Sequence, residues 1–359
     1  MAVPEIALHR LRTQRIAEPR FESVAEVVRH LGAMQAQDYA ASVWAIGLRT
    51  QSATFVDVDA AVERREIART WPMRGTLHWV PAEDLRWMVA LMAPRAVAKA
   101  AARTRQLEID AEVLSKARAL LTGVLSDGPP ITRPEAYALF EGNALRPEGQ
   151  RGIHILQQLA HEGTLCFGPH QGKQPTFVLI DRWLPTAKPK PRDEALAILA
   201  ATYFTSHGPA TVNDFAWWTG LTLADARAAV DSVRGRFESR VVEGREYWQK
   251  PVPTGTSATN DELHLLPGFD EYILGYQDRS AVLAPEFARL VVPGNNGMFM
   301  ATVVDGTGEV LGTWQRRASK GGVTIVANPF PERAIDAAPL RAAAERYAGF
   351  LGVRLESVD

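Results

Sequence analysis

Residues 128–140 read Gly128-Pro129-Pro130-Ile131-Thr132-Arg133-Pro134-Glu135-Ala136-Tyr137-Ala138-Leu139-Phe140. Thr132 and Glu135 stand at capping-box spacing and Pro134 is tolerated in a first turn, so a helix opens here and runs through Phe140. Upstream, Val113, Leu114, Ala117, Leu120, Leu121, Val124 and Leu125 recur at helical spacing, and that amphipathic helix ends near Ser126-Asp127-Gly128. Downstream, Ile153, Leu156 and Leu159 mark a third helix, which Gly163 is placed to stop in the left-handed conformation. Two strand-like runs follow, Thr164 to Phe167 and Thr176 to Ile180, on either side of Gly168-Pro169-His170-Gln171-Gly172-Lys173.

Three helices followed by a hairpin is the winged-helix order, a helix-turn-helix with a β-wing. The order recurs about eighty residues later. Leu196, Leu199, Tyr203 and Phe204 mark a helix, Thr211 and Asp214 open the next, Thr222 and Asp225 a third, and Phe237 to Trp248 forms a hairpin about Glu243-Gly244. A looser copy comes first in the chain: a helix from Ile6 to Ala17, a second capped by Ser23 and Glu26, a third near Val58 to Ile67, then a strand-like run from Thr70 to Val80. Beyond the Pro/Thr/Gly/Ser linker Pro251 to Asn260, short strands are expected at His264 to Leu266, Phe299 to Val304, Val310 to Trp314 and Val323 to Ala327, with a helix from Pro339 to Leu351. The expected fold is therefore mainly α with β (α+β). Winged helices occupy residues 1–105, 106–190 and 191–250, and residues 260–359 form a β-rich, barrel-like region with a terminal helix.

The chain has 359 residues, of which 46% are apolar and 23% charged, an ordinary globular composition. The formal charge of −1 excludes a uniformly basic surface, but the charge is uneven. Residues 1–192 hold 25 basic and 20 acidic side chains, against 15 and 21 in residues 193–359. The first half is thus basic, and mostly through arginine, the side chain suited to bidentate phosphate contacts. The one cysteine, Cys166, excludes an internal disulfide and lies in an apolar strand, where an inert buried thiol is expected. No signal-peptide-like run opens the chain. The longest uncharged stretch, Ala195 to Asn213, is broken by Thr205-Ser206-His207-Gly208-Pro209, so no membrane span and a cytoplasmic location are expected.

The common catalytic motifs are missing. The sequence lacks His-Glu-x-x-His, Gly-x-Gly-x-x-Gly, a Walker loop and Gly-x-Ser-x-Gly, and His154 and His161 read as a structural pair rather than metal ligands. The unusual stretch is Met34-Gln35-Ala36-Gln37-Asp38-Tyr39. In a helix Gln35 and Gln37 would point about 200° apart. If the capped helix ends near Gly32 to Met34 and the chain extends, residues two apart face the same way. Two carboxamides then offer donors and acceptors with no proton-transfer capacity. A polar helix end meeting solvent has the same pattern.

Gln35-Ala36-Gln37, together with Trp71-Pro72-Met73-Arg74-Gly75-Thr76-Leu77-His78 and Leu265-Leu266-Pro267-Gly268-Phe269-Asp270-Glu271-Tyr272-Ile273-Leu274-Gly275-Tyr276-Gln277-Asp278-Arg279, resembles the AlkZ-like DNA glycosylases, which include the YcaQ-like proteins. The resemblance spans nearly the whole chain. It implies tandem winged helices in a curved, C-shaped arrangement around a DNA channel. It implies a monofunctional glycosylase acting on N7-alkylguanine and related alkylpurines in double-stranded DNA. Some members unhook interstrand crosslinks from genotoxic natural products, in DNA repair or antibiotic self-resistance. It further implies Gln35 and Gln37 as the catalytic pair, with no cofactor or metal. Glutamine suits that chemistry: an N7-alkylated purine already carries positive charge and leaves without a general acid, so positioning water and stabilising an oxocarbenium-like sugar remain.

Asp38 is a possible auxiliary residue, although adjacent side chains on extended backbone point apart. Arg74 and His78, in the wing of residues 1–105, either contact DNA or are ordinary polar surface. The same choice holds for Lys173 at the middle hairpin tip and for the basic cluster Arg316, Arg317 and Lys320. Asp270 and Glu271 read as strand neighbours whose hydrogen bonds fix the third winged helix against the β region, and Trp217 and Trp218 as core. Three unequal copies without a heptad-type helix favour a monomer. The alternative function is a non-catalytic winged-helix DNA-binding protein or regulator, which normally binds as a symmetric dimer.

Overall fold

The computed structural model describes residues 3–17, 20–251, 261–294 and 297–359. Most of the linker Pro251 to Asn260 therefore lies outside the described residues. Helices and sheets alternate along a mixed α/β chain that divides into two compact units, neither contiguous in sequence. One comprises Met1–Val58, Ala197–Trp218 and Thr222–Asp359; the other comprises Asp59–Leu196 and Thr219–Leu221. The divisions at residues 105, 190 and 250 do not coincide with these units, because the first and last parts of the chain pack together.

In the second unit the middle segment follows its sequence. Helix Ala111–Leu125 is capped by Asp110, and helix Arg133–Glu141 opens at Thr132, which forms the full capping box with Glu135. Helix Arg151–His161 follows, and Gly163 takes φ +77°. Strands Leu165–Gln171 and Gln174–Leu179 pair antiparallel, with the short strand Ile131–Thr132 along the outer one. Arg69 in strand Ile67–Met73 pairs with Phe167, and Ile67–Met73 pairs in turn with Thr76–Pro81. Trp71, Phe167 and Phe177 stack side by side across these strands, with centroids 5.0 and 4.7 Å apart. The single run expected at Thr70 to Val80 is thus a hairpin turning at Arg74-Gly75, and the 22-residue helix Leu85–Gln106 packs across Ile67–Met73.

In the first unit, strands Leu263–Leu266, Thr302–Asp305, Val310–Ser319, Gly322–Pro329 and Arg354–Val358 form an open sheet in sequence order. All are antiparallel except the last pair. The strand expected from Phe299 begins only at Thr302, and the parallel terminal strand was not expected. Helix Ala337–Leu351 lies against Leu263–Leu266 and against helix Tyr39–Gly47. Trp44 meets Tyr347 and Phe350 at 5.0 and 5.1 Å, and Tyr347 meets Trp314 at 5.1 Å. Such aromatic pairs add about 1 kcal/mol each beyond their buried area. Gly47 permits the packing, since a Cβ there would meet the Phe350 ring at 2.2 Å. Among the described residues no helix is long and apolar enough to cross a membrane.

Candidate functional site

Helix Val24–Leu31 opens at Ser23, whose N–H donates to Glu26 at 2.9 Å, and closes at Gly32, φ +77°. The helix thus ends within Gly32 to Met34, the condition on which extension towards Gln35 depended. The chain extends through Met34–Gln35 and then bends at Gln37 and Asp38. The bend has a local cause: Asp38 is the N-cap of helix Tyr39–Gly47, its carboxylate accepting the Ala41 N–H at 3.1 Å. The strand therefore ends at Gln35, while Asp38 itself keeps extended dihedrals, φ −91° and ψ 112°. Gln35 is 7% exposed, and its Oε1 has no hydrogen-bond partner among the described residues. Gln37 and Asp38 are exposed.

The backbone of Gln35 is held by a residue far away in sequence. Its N–H donates to Glu271 Oε1 at 2.8 Å, while the indole N–H of Trp218 donates to Glu271 Oε2 at 2.9 Å. His207 Nε2 lies 3.6 Å from the same oxygen, and His207 Nδ1 is 2.8 Å from Ser206 Oγ. Tyr203 stacks flat on His207, centroids 4.6 Å apart at 12°. Burial pushes the His207 pKa down, against a raising contribution from Glu271. Asp270 and Glu271 are not strand neighbours: Asp270 caps the one-turn helix Glu271–Leu274, so the two carboxylates diverge. Asp270 takes both guanidinium nitrogens of Arg49 at 2.8 Å. The preceding Phe269 sits at φ +64°, a costly conformation for an aromatic residue and a mark of constraint next to the acid pair.

The remaining candidates have distinct surroundings. Arg74, at φ +56° in its hairpin turn, places Nη2 3.2 Å from His78 Nε2. His78 is fully buried with Nδ1 2.9 Å from Thr76 O, so Nδ1 carries the proton and Nε2 accepts from Arg74. Lys173 is exposed at the tip of Leu165–Gln171/Gln174–Leu179. Arg316, Arg317 and Lys320 are exposed near the turn of Val310–Ser319/Gly322–Pro329; the two arginines are strand neighbours and point to opposite faces. Arg316 donates to Tyr347 OH at 2.9 Å and, with Asp38, Trp44, Trp314 and Tyr347, lines a cavity of about 170 Å³. Trp218 is fully buried, but Trp217, expected in the core, is 41% exposed, its N–H donating to Leu274 O at 3.2 Å. Cys166 is buried, its thiol pushed up to about 12 by desolvation.

The mixed α/β chain as a whole has a structural counterpart among DNA glycosylases. The chain is similar to the Streptomyces sahachiroi DNA glycosylase AlkZ with a TM-score of 0.81 and 26% identity, covering 100% of both chains. In sequence it is 28% identical over 346 residues, 89% of each protein, to an interstrand DNA cross-link repair glycosylase of Streptomyces sahachiroi. The profile of the AlkZ-like DNA glycosylases matches residues 28–350, and the chain belongs to that family.

Sequence reasoning did not anticipate the link from Glu271 to Gln35. Two adjacent acids in an otherwise apolar run, Phe269 to Leu274, were the available signal. Their partners, Arg49, Gln35 and Trp218, are more than fifty residues away.

Proposed function

We propose that this protein is a monofunctional glycosylase that hydrolyses the N-glycosidic bond of N7-alkylguanine and related alkylpurines in duplex DNA. The observation that carries the reading is Gln35: buried, tied through its backbone, with its side-chain oxygen unpartnered among the described residues. A buried acceptor left without a donor costs about 1–3 kcal/mol. A water molecule placed between that oxygen and the sugar would satisfy it. Gln37, two residues on and exposed, is the second member of the pair, available to the substrate from solvent.

In this reading the leaving base takes the glycosidic electron pair and departs neutral, its cationic charge discharged, so no general acid is required. Gln35 and Gln37 orient water below C1′ and set carboxamide oxygens against the developing positive charge of the sugar; the water oxygen bonds C1′ as the base leaves, and its surplus proton passes to solvent. The Asp38 carboxylate is engaged in its helix cap and stays out of the chemistry. Lys173, Arg317 and Lys320 contact DNA phosphates; Arg74 does so from a turn in which His78 holds its guanidinium, and Arg316 through a side chain braced by Tyr347. The segments 1–105, 106–190 and 191–250 serve as winged helices, the first two presenting Arg74 and Lys173 and the β-rich region the other cations, and the enzyme works as a cytoplasmic monomer. The cross-link repair named for the relative suggests interstrand crosslinks as a second substrate class.

The test is mass spectrometry of bases freed from duplex oligonucleotides containing N7-methylguanine, with a crosslinked duplex as a parallel arm. Wild type releases the alkylated base and leaves unmodified purines in place. Replacing both Gln35 and Gln37 by alanine lowers release at least about 1,000-fold, the scale expected when electrostatic stabilisation and positioning are both removed. Release unchanged in that variant, or a sequence-specific footprint on undamaged DNA without release, would overturn the reading in favour of a non-catalytic DNA-binding protein.

A further inference from the structure

We infer that Glu271 is a positioning residue for the glycosylase reaction, which aims the Gln35 carboxamide by fixing the Gln35 backbone; this inference rests on the function proposed above. Gln35 stands at the end of a two-residue strand, one residue before the bend at Gln37-Asp38. Its Oε1 accepts no hydrogen bond from the described residues, so that oxygen is aimed by the backbone and by packing. The backbone N–H, in turn, is bonded to a side chain, the Glu271 carboxylate at 2.8 Å.

That carboxylate is built to stay in place. It is 1% exposed at the start of a helix whose N-cap, Asp270, is clamped by Arg49. Its second oxygen accepts the Trp218 indole N–H at 2.9 Å, and Trp218 and His207 are both fully buried around it. Gly275 lets the two sides close together, since a Cβ there would meet His207 at 2.8 Å and the Glu271 carbonyl oxygen at 2.5 Å. An ionised carboxylate accepts from both N–H groups at once, whereas a glutamine there would turn one N–H against its own amide N–H. Glu271→Gln keeps the shape but leaves one acceptor oxygen for two N–H groups, and Trp218→Phe removes the indole N–H donor while leaving the bond to Gln35 in place.

Four proteins are compared: wild type, the Gln35→Ala/Gln37→Ala double variant, Glu271→Gln and Trp218→Phe. Single-turnover release from an N7-methylguanine duplex is measured beside Kd for the undamaged duplex and the melting temperature. The expected result for Glu271→Gln is release slowed about 100-fold with Kd within threefold of wild type; for Trp218→Phe, release slowed about 10-fold. Wild-type release in Glu271→Gln, or rate and DNA affinity falling in parallel, overturns the positioning role. If Glu271→Gln does not fold, wild-type release in Trp218→Phe overturns it. Wild-type release in the double-alanine variant defeats the glycosylase site itself and the inference with it, whereas loss there alongside intact Glu271→Gln defeats the inference alone.

Discussion

Arg49 and Asp270 form a two-pronged ion pair, both N–O distances 2.8 Å, with side chains 0% and 1% exposed. Arg49 also donates to Gln14 O, Gln14 Oε1 and Ala45 O, so the buried guanidinium is saturated by its surroundings. Removing one member leaves the other charged and unpaired. Asp270→Asn should therefore cost about 3–5 kcal/mol. Denaturant melts of Asp270→Asn, Arg49→Met and the double variant check this; a double-mutant coupling near zero would contradict it.

Asp38 tests whether the acid beside the glutamines does chemistry. Asparagine caps helices nearly as well as aspartate, so Asp38→Asn should keep stability and release the alkylated base within about threefold of wild type. Asp38→Ala should lose about 1 kcal/mol of stability. A hundredfold loss of release in the asparagine variant, with the fold intact, would assign the carboxylate a direct role.

The exposed cations predict a salt signature. For each DNA phosphate no longer neutralised, the slope of log Kd against log salt should fall by about 0.9. Alanine at Lys173, and separately at Arg317 and Lys320 together, should flatten that slope by about one and about two on undamaged duplex. Titrations between low and physiological salt measure it, and an unaltered slope would place these side chains away from the backbone.

Buried histidines set the acid limit. Burial holds His30 and His161 at about 4 and His264 at about 3, against an ordinary value near 6.5. The unfolded chain takes up protons at these positions first, so their stabilising contribution is complete above pH 6.5 and is lost as pH falls towards 4 and then 3. The melting temperature should hold level above pH 6.5 and drop below it, by an amount worth a few kcal/mol near pH 4. His264→Leu, made at a 2% exposed position, should shallow the fall.

Local rules made much of the chain readable. The capping boxes at Ser23 and Thr132 and the Thr222 cap lie within four residues of their partners, and each opens the helix expected of it. The helix end at Gly32 met the condition set for extension of the chain towards Gln35, which the sequence had left open. Helix Tyr39–Gly47 was hidden because Ser42 to Gly47 are all buried, leaving no polar face to set a period. Helix Leu85–Gln106 carries Pro94 in its interior, a residue that ordinarily marks a break. The geometry at the glutamines depends on what lies beyond such local reach. Nothing between residues 31 and 40 shows that the Gln35 N–H would meet an acid, or that the strand would stop at Gln35.

The hydrogen bond between Gln35 and Glu271 spans 236 positions of sequence. Gln35 and the acid that holds its backbone therefore meet only when segments far apart in the chain have folded together. Middle segments with their own caps and hairpins close over short sequence separations, whereas the Gln35 backbone is fixed only across this long one. Fragments stopping short of residue 271 would consequently carry the glutamines without the carboxylate that holds the Gln35 backbone.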